Sequence, residues 1–178
     1  MESPLMKNDI VKEKMINKTQ WSPNVESECI RNWTESLHAE AKRLLIQDRT
    51  HASLLFFFNK DRGLIAVNPV PYDIDLAQLN VAVENVVNEH DLYGVVFICE
   101  TWAYFMKEKD HTAFQLLDGE MKVSDLNSED KREALMVRME NREGDCFEYF
   151  DEIVRDENGV TLKNSLVTQS SQEKWFVR

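Results

Sequence analysis

The sequence predicts an α+β domain: a single antiparallel β-sheet with two main helices packed on it, in the order α-β-β-α-β-β-β-β. Three observations predict it. Two polar turns with glycine, Asn59-Lys-Asp-Arg-Gly63 and Glu157-Asn-Gly159, separate β-rich runs and signal hairpins. Two segments carry apolar residues at spacings of three and four, the period of a helix with one buried stripe. Finally, the run from Gly94 to Met106 is nearly all apolar and rich in β-branched and aromatic residues. It reads as a strand buried on both faces.

The elements follow in order. Residues 1–21 are polar and weakly patterned, a flexible or weakly helical N-terminal segment; residues 22–178 read as one domain. Ser22-Pro23-Asn24 looks like a helix start, because Pro suits the first turn and Ser or Asn can cap free N–H groups. Cys29, Trp33, Leu37, Ala41, Leu44 and Leu45 then make the buried stripe. Ala52–Phe58 and Leu64–Val67 form the first hairpin, which Pro69 and Pro71 terminate because neither can donate to a ladder. Asp73 or Asp75 caps the second helix, with Leu76, Leu79, Val83, Val86 and Val87 on its inner face. After the Gly94 strand, residues 107–130 read as turns and loops. Strands follow at Ala134–Met139, Cys146–Val154 and Val160–Leu166, and Trp175-Phe-Val177 adds a short strand or packs on the core. The expected layout places both helices on one face of the sheet.

The chain of 178 residues is long enough for one sizeable core. No apolar run is long enough to span a bilayer, and the N-terminus lacks a signal-peptide core, so a cytoplasmic location is expected. Three widely spaced cysteines fit neither a disulfide framework nor a paired-cysteine zinc site. The net charge of −11 disfavours direct nucleic-acid binding, which needs clustered Lys and Arg.

No catalytic or cofactor signature stands out. There is no His-x-His, no His-Glu-x-x-His, no Gly-x-Ser-x-Gly and no phosphate-cradling glycine loop, so no metal and no cofactor is expected. Cys99, inside an apolar strand, is expected to be inert. Glu100 is the residue that needs explaining. Alternation puts it on one strand face with Ile98 and Trp102, and a carboxylate there needs a partner. The structural reading pairs it with Arg132 or Arg138 on a neighbouring strand. The functional reading makes Glu100, Trp102, Arg132 and Arg138 a pocket for an enzyme or a small-ligand binder.

Two stretches resemble a group of uncharacterised microbial and phage-associated proteins. Those chains carry a strand ending in a Ser/Thr-Glu-Ala-Trp-like motif, then a Ser-Glu-Asp-rich loop and an Arg-Glu-led strand. Here the stretches are Cys99-Glu-Thr-Trp102 and Ser128-Glu-Asp-Lys-Arg-Glu-Ala-Leu135, within a resemblance covering roughly residues 94–160. The resemblance implies a phage or mobile-element protein and no particular activity.

The acidity is uneven, and this sets the functional expectation. From Asp118 to Glu157 there are 14 acidic and 6 basic residues, a net of −8. Asp145, Glu148, Asp151, Glu152, Asp156 and Glu157 fall on one hairpin and its turns. Those on its wet face either keep the protein in solution or dock a basic protein partner. The expectation is a non-enzymatic acidic interaction protein. Trp21, Trp175 and Phe176 near the termini would offer a subunit interface if exposed, making a homo-oligomer the second association to consider.

Overall fold

The structure, a computed structural model, describes residues 30–59, 61, 63–105, 110–117, 119–142 and 145–169. The expected cap at Ser22-Pro23-Asn24 and the apolar Trp175-Phe-Val177 lie outside these residues, as do Trp21 and Cys29. Helix α1 spans Ile30–Asp48 and buries Ile30, Thr34, Leu37, Ala41 and Leu45. That stripe follows the helical period. Thr34 enters it with its hydroxyl satisfied, donating to the Ile30 carbonyl at 2.7 Å. Trp33 is half-buried against the same core, its ring 5.9 Å from that of Phe58.

Strands β1 (Leu54–Phe58) and β2 (Leu64–Pro69) form the first hairpin. Asn59 closes its turn, donating its N–H to the Gly63 carbonyl and accepting the Gly63 N–H on its side chain. Pro69 is the last residue of β2, an edge strand, where a missing donor costs nothing in the ladder. Helix α2 (Leu76–Glu89) starts at Asp75, whose carboxylate accepts the Ala77 N–H, and stops at His90. Strands β3 (Gly94–Ala103), β4 (Arg132–Asn141), β5 (Cys146–Asp156) and β6 (Gly159–Gln169) follow. Six strands make one sheet in the order β2-β1-β3-β4-β5-β6, with every pair antiparallel. At the Asn158-Gly159 turn, Gly159 has a φ of 142°, and Asp156 accepts the N–H groups of both residues.

The helices do not share a face. Phe56, Phe58, Val96, Ile98, Leu135, Val137 and Met139 pack against α1. Leu55, Phe57, Val95, Phe97, Cys99 and Met136 pack against α2 on the other side. The expectation of a one-sided arrangement is corrected for a physical reason. Strands β1 and β3 are apolar at consecutive positions, so both faces need cover, and one helix covers each.

Residues 110–117 and 119–130 are also more ordered than the expected loops. Helix α3 spans His111–Leu117, and a single 3₁₀ turn spans Val123–Asp125. Both are too short to show a helical period. Gly94 begins β3 where the backbone comes closest to its neighbours. A Cβ there would lie 2.6 Å from Ile30 Cδ1 and 2.7 Å from the Glu140 carbonyl oxygen. The glycine thus lets α1 and β4 close over the start of β3.

Leu37 is 1% exposed at the centre of the α1 stripe. Leu37→Ala is therefore expected to cost about 2–5 kcal/mol in denaturant melts. A loss under about 0.5 kcal/mol, the range of surface substitutions, would show that the stripe faces water.

Candidate functional site

Glu100 is sealed rather than open. One carboxylate oxygen accepts the Thr50 hydroxyl at 3.1 Å and the His51 N–H at 2.5 Å, and the other accepts from Arg155. Arg155 also donates to Glu133 at 2.6 Å and to the Arg49 carbonyl. The hydrogen bond to Glu133, and then the charge of Glu100, raise the pKa of its guanidinium. Burial pushes the His51 imidazole down. Burial, and then the negative charge of Glu100, push the Cys99 thiol up to about 12, so it stays protonated and unreactive at neutral pH.

The expected pairing of Glu100 with Arg132 or Arg138 is corrected. In the β3–β4 register Glu100 lies opposite Leu135, whereas Arg138 lies opposite Phe97 and Arg132 opposite Ala103. Strand alternation therefore sends both arginines to the α2 face, away from Glu100. Arg138, 3% exposed, is held between Glu140 at 2.7 Å and Glu148. Arg132 lies 3.5 Å from Glu152. The residues of the expected pocket, Glu100, Trp102, Arg132 and Arg138, are thus not brought together.

A second polar cluster was not foreseen. Asp151, on the same strand face as Phe147, Tyr149 and Ile153, is fully buried. Its side chain accepts from Lys42 at 3.0 Å, from Ser165, and meets His38 Nε2. Burial alone would raise the Asp151 pKa, but the hydrogen bonds from His38, Ser165 and Lys42 outweigh it and hold the carboxyl at about 2. The His38 ring packs on Tyr149 with centroids 4.5 Å apart. His38 and Lys42 are four apart on α1, which gave a helical-spacing signal; their target on β5 had none. Among the described residues, no group of three or more His, Cys, Asp or Glu is placed to hold a metal ion.

The rest of the acidic hairpin is partly spoken for. Glu148 also accepts from Thr168 at 3.1 Å, and Glu152 from Asn164. Asp145 accepts from Asn141 at 2.9 Å. Asp156 is used by its turn, and Glu157 is exposed at the hairpin tip.

An apolar cavity of about 340 Å³ lies at the end of the sheet where β3 finishes. Met136, Phe150 and Leu166 line it in one cross-strand row, together with Phe105, Leu116 and Val123. Trp102, 56% exposed, lines it as well. Tyr104 and Phe105 border this space too, whereas Phe56, Phe57 and Phe58 are core. Sequence reasoning missed Met136, Phe150 and Leu166, whose grouping depends on strand register. No helix among the described residues is long and apolar enough to cross a membrane.

These features define an acidic α+β domain with a helix on each face of one antiparallel sheet, internally closed ion clusters and an apolar cavity at one end. The chain belongs to the family of bacteriophage lambda protein ea47, whose model matches residues 6–177. This is a family of phage proteins, in agreement with the phage association that the sequence resemblance implied. No curated protein and no solved structure matches the chain.

Two expectations follow. Glu100→Gln and an Arg155→Met change should be non-additive, with a coupling of about 0.5–3 kcal/mol in a double-mutant cycle; additivity would show that the pair does not interact. The second concerns acid. Asp151 has a folded pKa of about 2 against an ordinary value of 3.8, so its stabilisation is complete above the ordinary value and is lost as pH falls toward 2. Asp151→Asn should cost about 1.5–3 kcal/mol at neutral pH and flatten the loss of stability over that acid range. An unchanged acid-unfolding curve would remove Asp151 as its source.

Proposed function

We propose that this phage protein works without catalysis, by binding a basic protein partner in the host cytoplasm. The observation that carries the reading is the contrast between its inner and outer charges. Arg155, Arg138 and Lys42 are each spent on carboxylates within the fold. The surface loop 119–131 exposes Glu120, Asp125, Glu129 and Asp130 against only Lys122 and Lys131. In a chain of net charge −11, that surplus faces solvent and steers a cationic surface toward the protein. Glu148 and Glu152, held by arginines, contribute less to this field than their places on the hairpin suggested, while Glu157 adds to it at the tip.

A second reading, a small-ligand protein with its site near Glu100 and Trp102, is favoured by one observation. Trp102 lines a cavity whose volume of about 340 Å³ lies within the range of ligand pockets. The occupied acceptors of Glu100 count against that carboxylate taking part.

The test is capture from host lysate at low salt by the full chain, compared with a Glu120→Lys, Glu129→Lys, Asp130→Lys variant. The expected result is a basic protein retained by the wild type and released as salt rises toward molar, where the screening length falls to about 3 Å. The triple reversal should slow association far more than it speeds dissociation. Retention of the same proteins at the same rates by both forms would overturn the reading.

A further inference from the structure

We infer that the apolar cavity at the end of the sheet is the seat for the apolar side of a basic amphipathic segment of the partner. This rests on the reading of the chain as a binder of a basic protein and names the surface that does it.

The floor is set by register. Met136 lies opposite Phe150, and Phe150 opposite Leu166, so the three share one face on adjacent strands. Met136 is 5% exposed and Leu166 is 45% exposed, so the apolar row emerges from the core and opens at the edge strand β6. Phe105, Leu116 and Val123, from outside the sheet, complete the apolar lining. An apolar cleft that opens in this way gains free energy by taking up apolar side chains, in proportion to the area removed from water.

Charge selects the occupant. Val123, on the cavity wall, belongs to the loop that exposes Glu120, Asp125, Glu129 and Asp130. On the floor, Glu148 and Glu152 flank Phe150 on the same strand face but are offset by Arg138 and Arg132, so the net acidity at the margins comes from that loop. An apolar trough with acidic margins fits a helix with aliphatic residues along one side and Lys or Arg along the other, the helix-in-groove mode. A second copy fits poorly, since it would bring another net charge of −11 to the same margins.

The probe is a synthetic labelled peptide with Leu at helical spacing and Lys on the opposite face. Two controls accompany it: a permuted peptide of the same composition without the apolar stripe, and a Lys→Gln version that keeps the stripe. The full chain should bind the amphipathic basic peptide at least about tenfold more tightly than either control. Leu166→Asp should weaken that binding about tenfold or more with little change in melting temperature. Should Leu166→Asp disturb folding, Val123→Asp tests the same cavity from its other wall. Equal binding of the permuted peptide would mean that charge alone acts, and would overturn the cavity while leaving the basic-partner reading standing. Equal binding of the Lys→Gln peptide would overturn the acidic margins and favour a neutral ligand. Self-association that the peptide abolishes would assign the cavity to a second copy instead. If the protein captured from lysate binds Leu166→Asp as well as wild type, the cavity inference fails alone; if wild type retains no basic protein, the parent reading fails first.

Discussion

Burial of β1 and β3 on both faces is the constraint on which the rest of the structure depends. Consecutive residues of these strands are apolar, so each strand presents two faces that water would penalise. One helix cannot cover both. Helix α1 closes one side through Leu37, Ala41 and Leu45, and α2 closes the other through Leu79, Val83 and Val86. Gly94 allows the close approach at the start of β3, where any side chain would strike Ile30 and the β4 backbone. The cover ends before the sheet does. Beyond Cys99, β3 emerges from its buried stretch, and the apolar cavity forms there.

Charge is handled in a second way. Arg138 is nearly inaccessible and meets two carboxylates, Asp151 is fully buried under three donors, and Arg155 ties Glu100 to Glu133. Such clusters add little net stability compared with apolar packing of equal volume. Breaking one is costly, because it strands an uncompensated charge. They therefore act as constraints on register and helix placement: a slip of one residue in β4 would bring Arg138 to the α1 face, away from Glu148 on β5. The same closures determine how much of the acidity reaches solvent. Five of the hairpin's six carboxylates, Asp145, Glu148, Asp151, Glu152 and Asp156, have partners within the fold, and the surplus lies instead in the 119–131 loop and at Glu157 on the hairpin tip.

Membership of the bacteriophage lambda ea47 family gives the chain a phage setting, and the fold supplies the physical features that a binding role would use. Val123, which lines the apolar cavity, belongs to the loop that carries the exposed Glu120, Asp125, Glu129 and Asp130, so apolar burial and electrostatic steering can act on one partner. The two contributions differ in kind: the first governs how long a complex lasts, the second how fast it forms.

Much of the fold was legible because its signals are local. The period of α1 and α2, the Asn-Gly turn, the prolines after the first hairpin and the apolar run of β3 all lie within short windows of sequence. The cover of both faces was implicit in that apolar run, yet which helix took which face depended on contacts between distant segments. The site was less legible. The need of Glu100 for a cationic partner followed from its surroundings in the strand. The choice of Arg155 over Arg132 and Arg138 depended on the β3–β4 register, which sends alternate side chains to opposite faces. The burial of Asp151 required α1 to lie across β5 and β6, so that His38, Lys42 and Ser165 could converge on it from far along the chain. The cavity needed three strands in register to align Met136, Phe150 and Leu166. The sequence by itself determined the elements, the buried stripes and the excess of negative charge, because period, turn chemistry and composition act over a few residues. Only the tertiary structure decided which charges meet, which stay exposed and where apolar surface is left open, because those outcomes depend on strand register and helix placement.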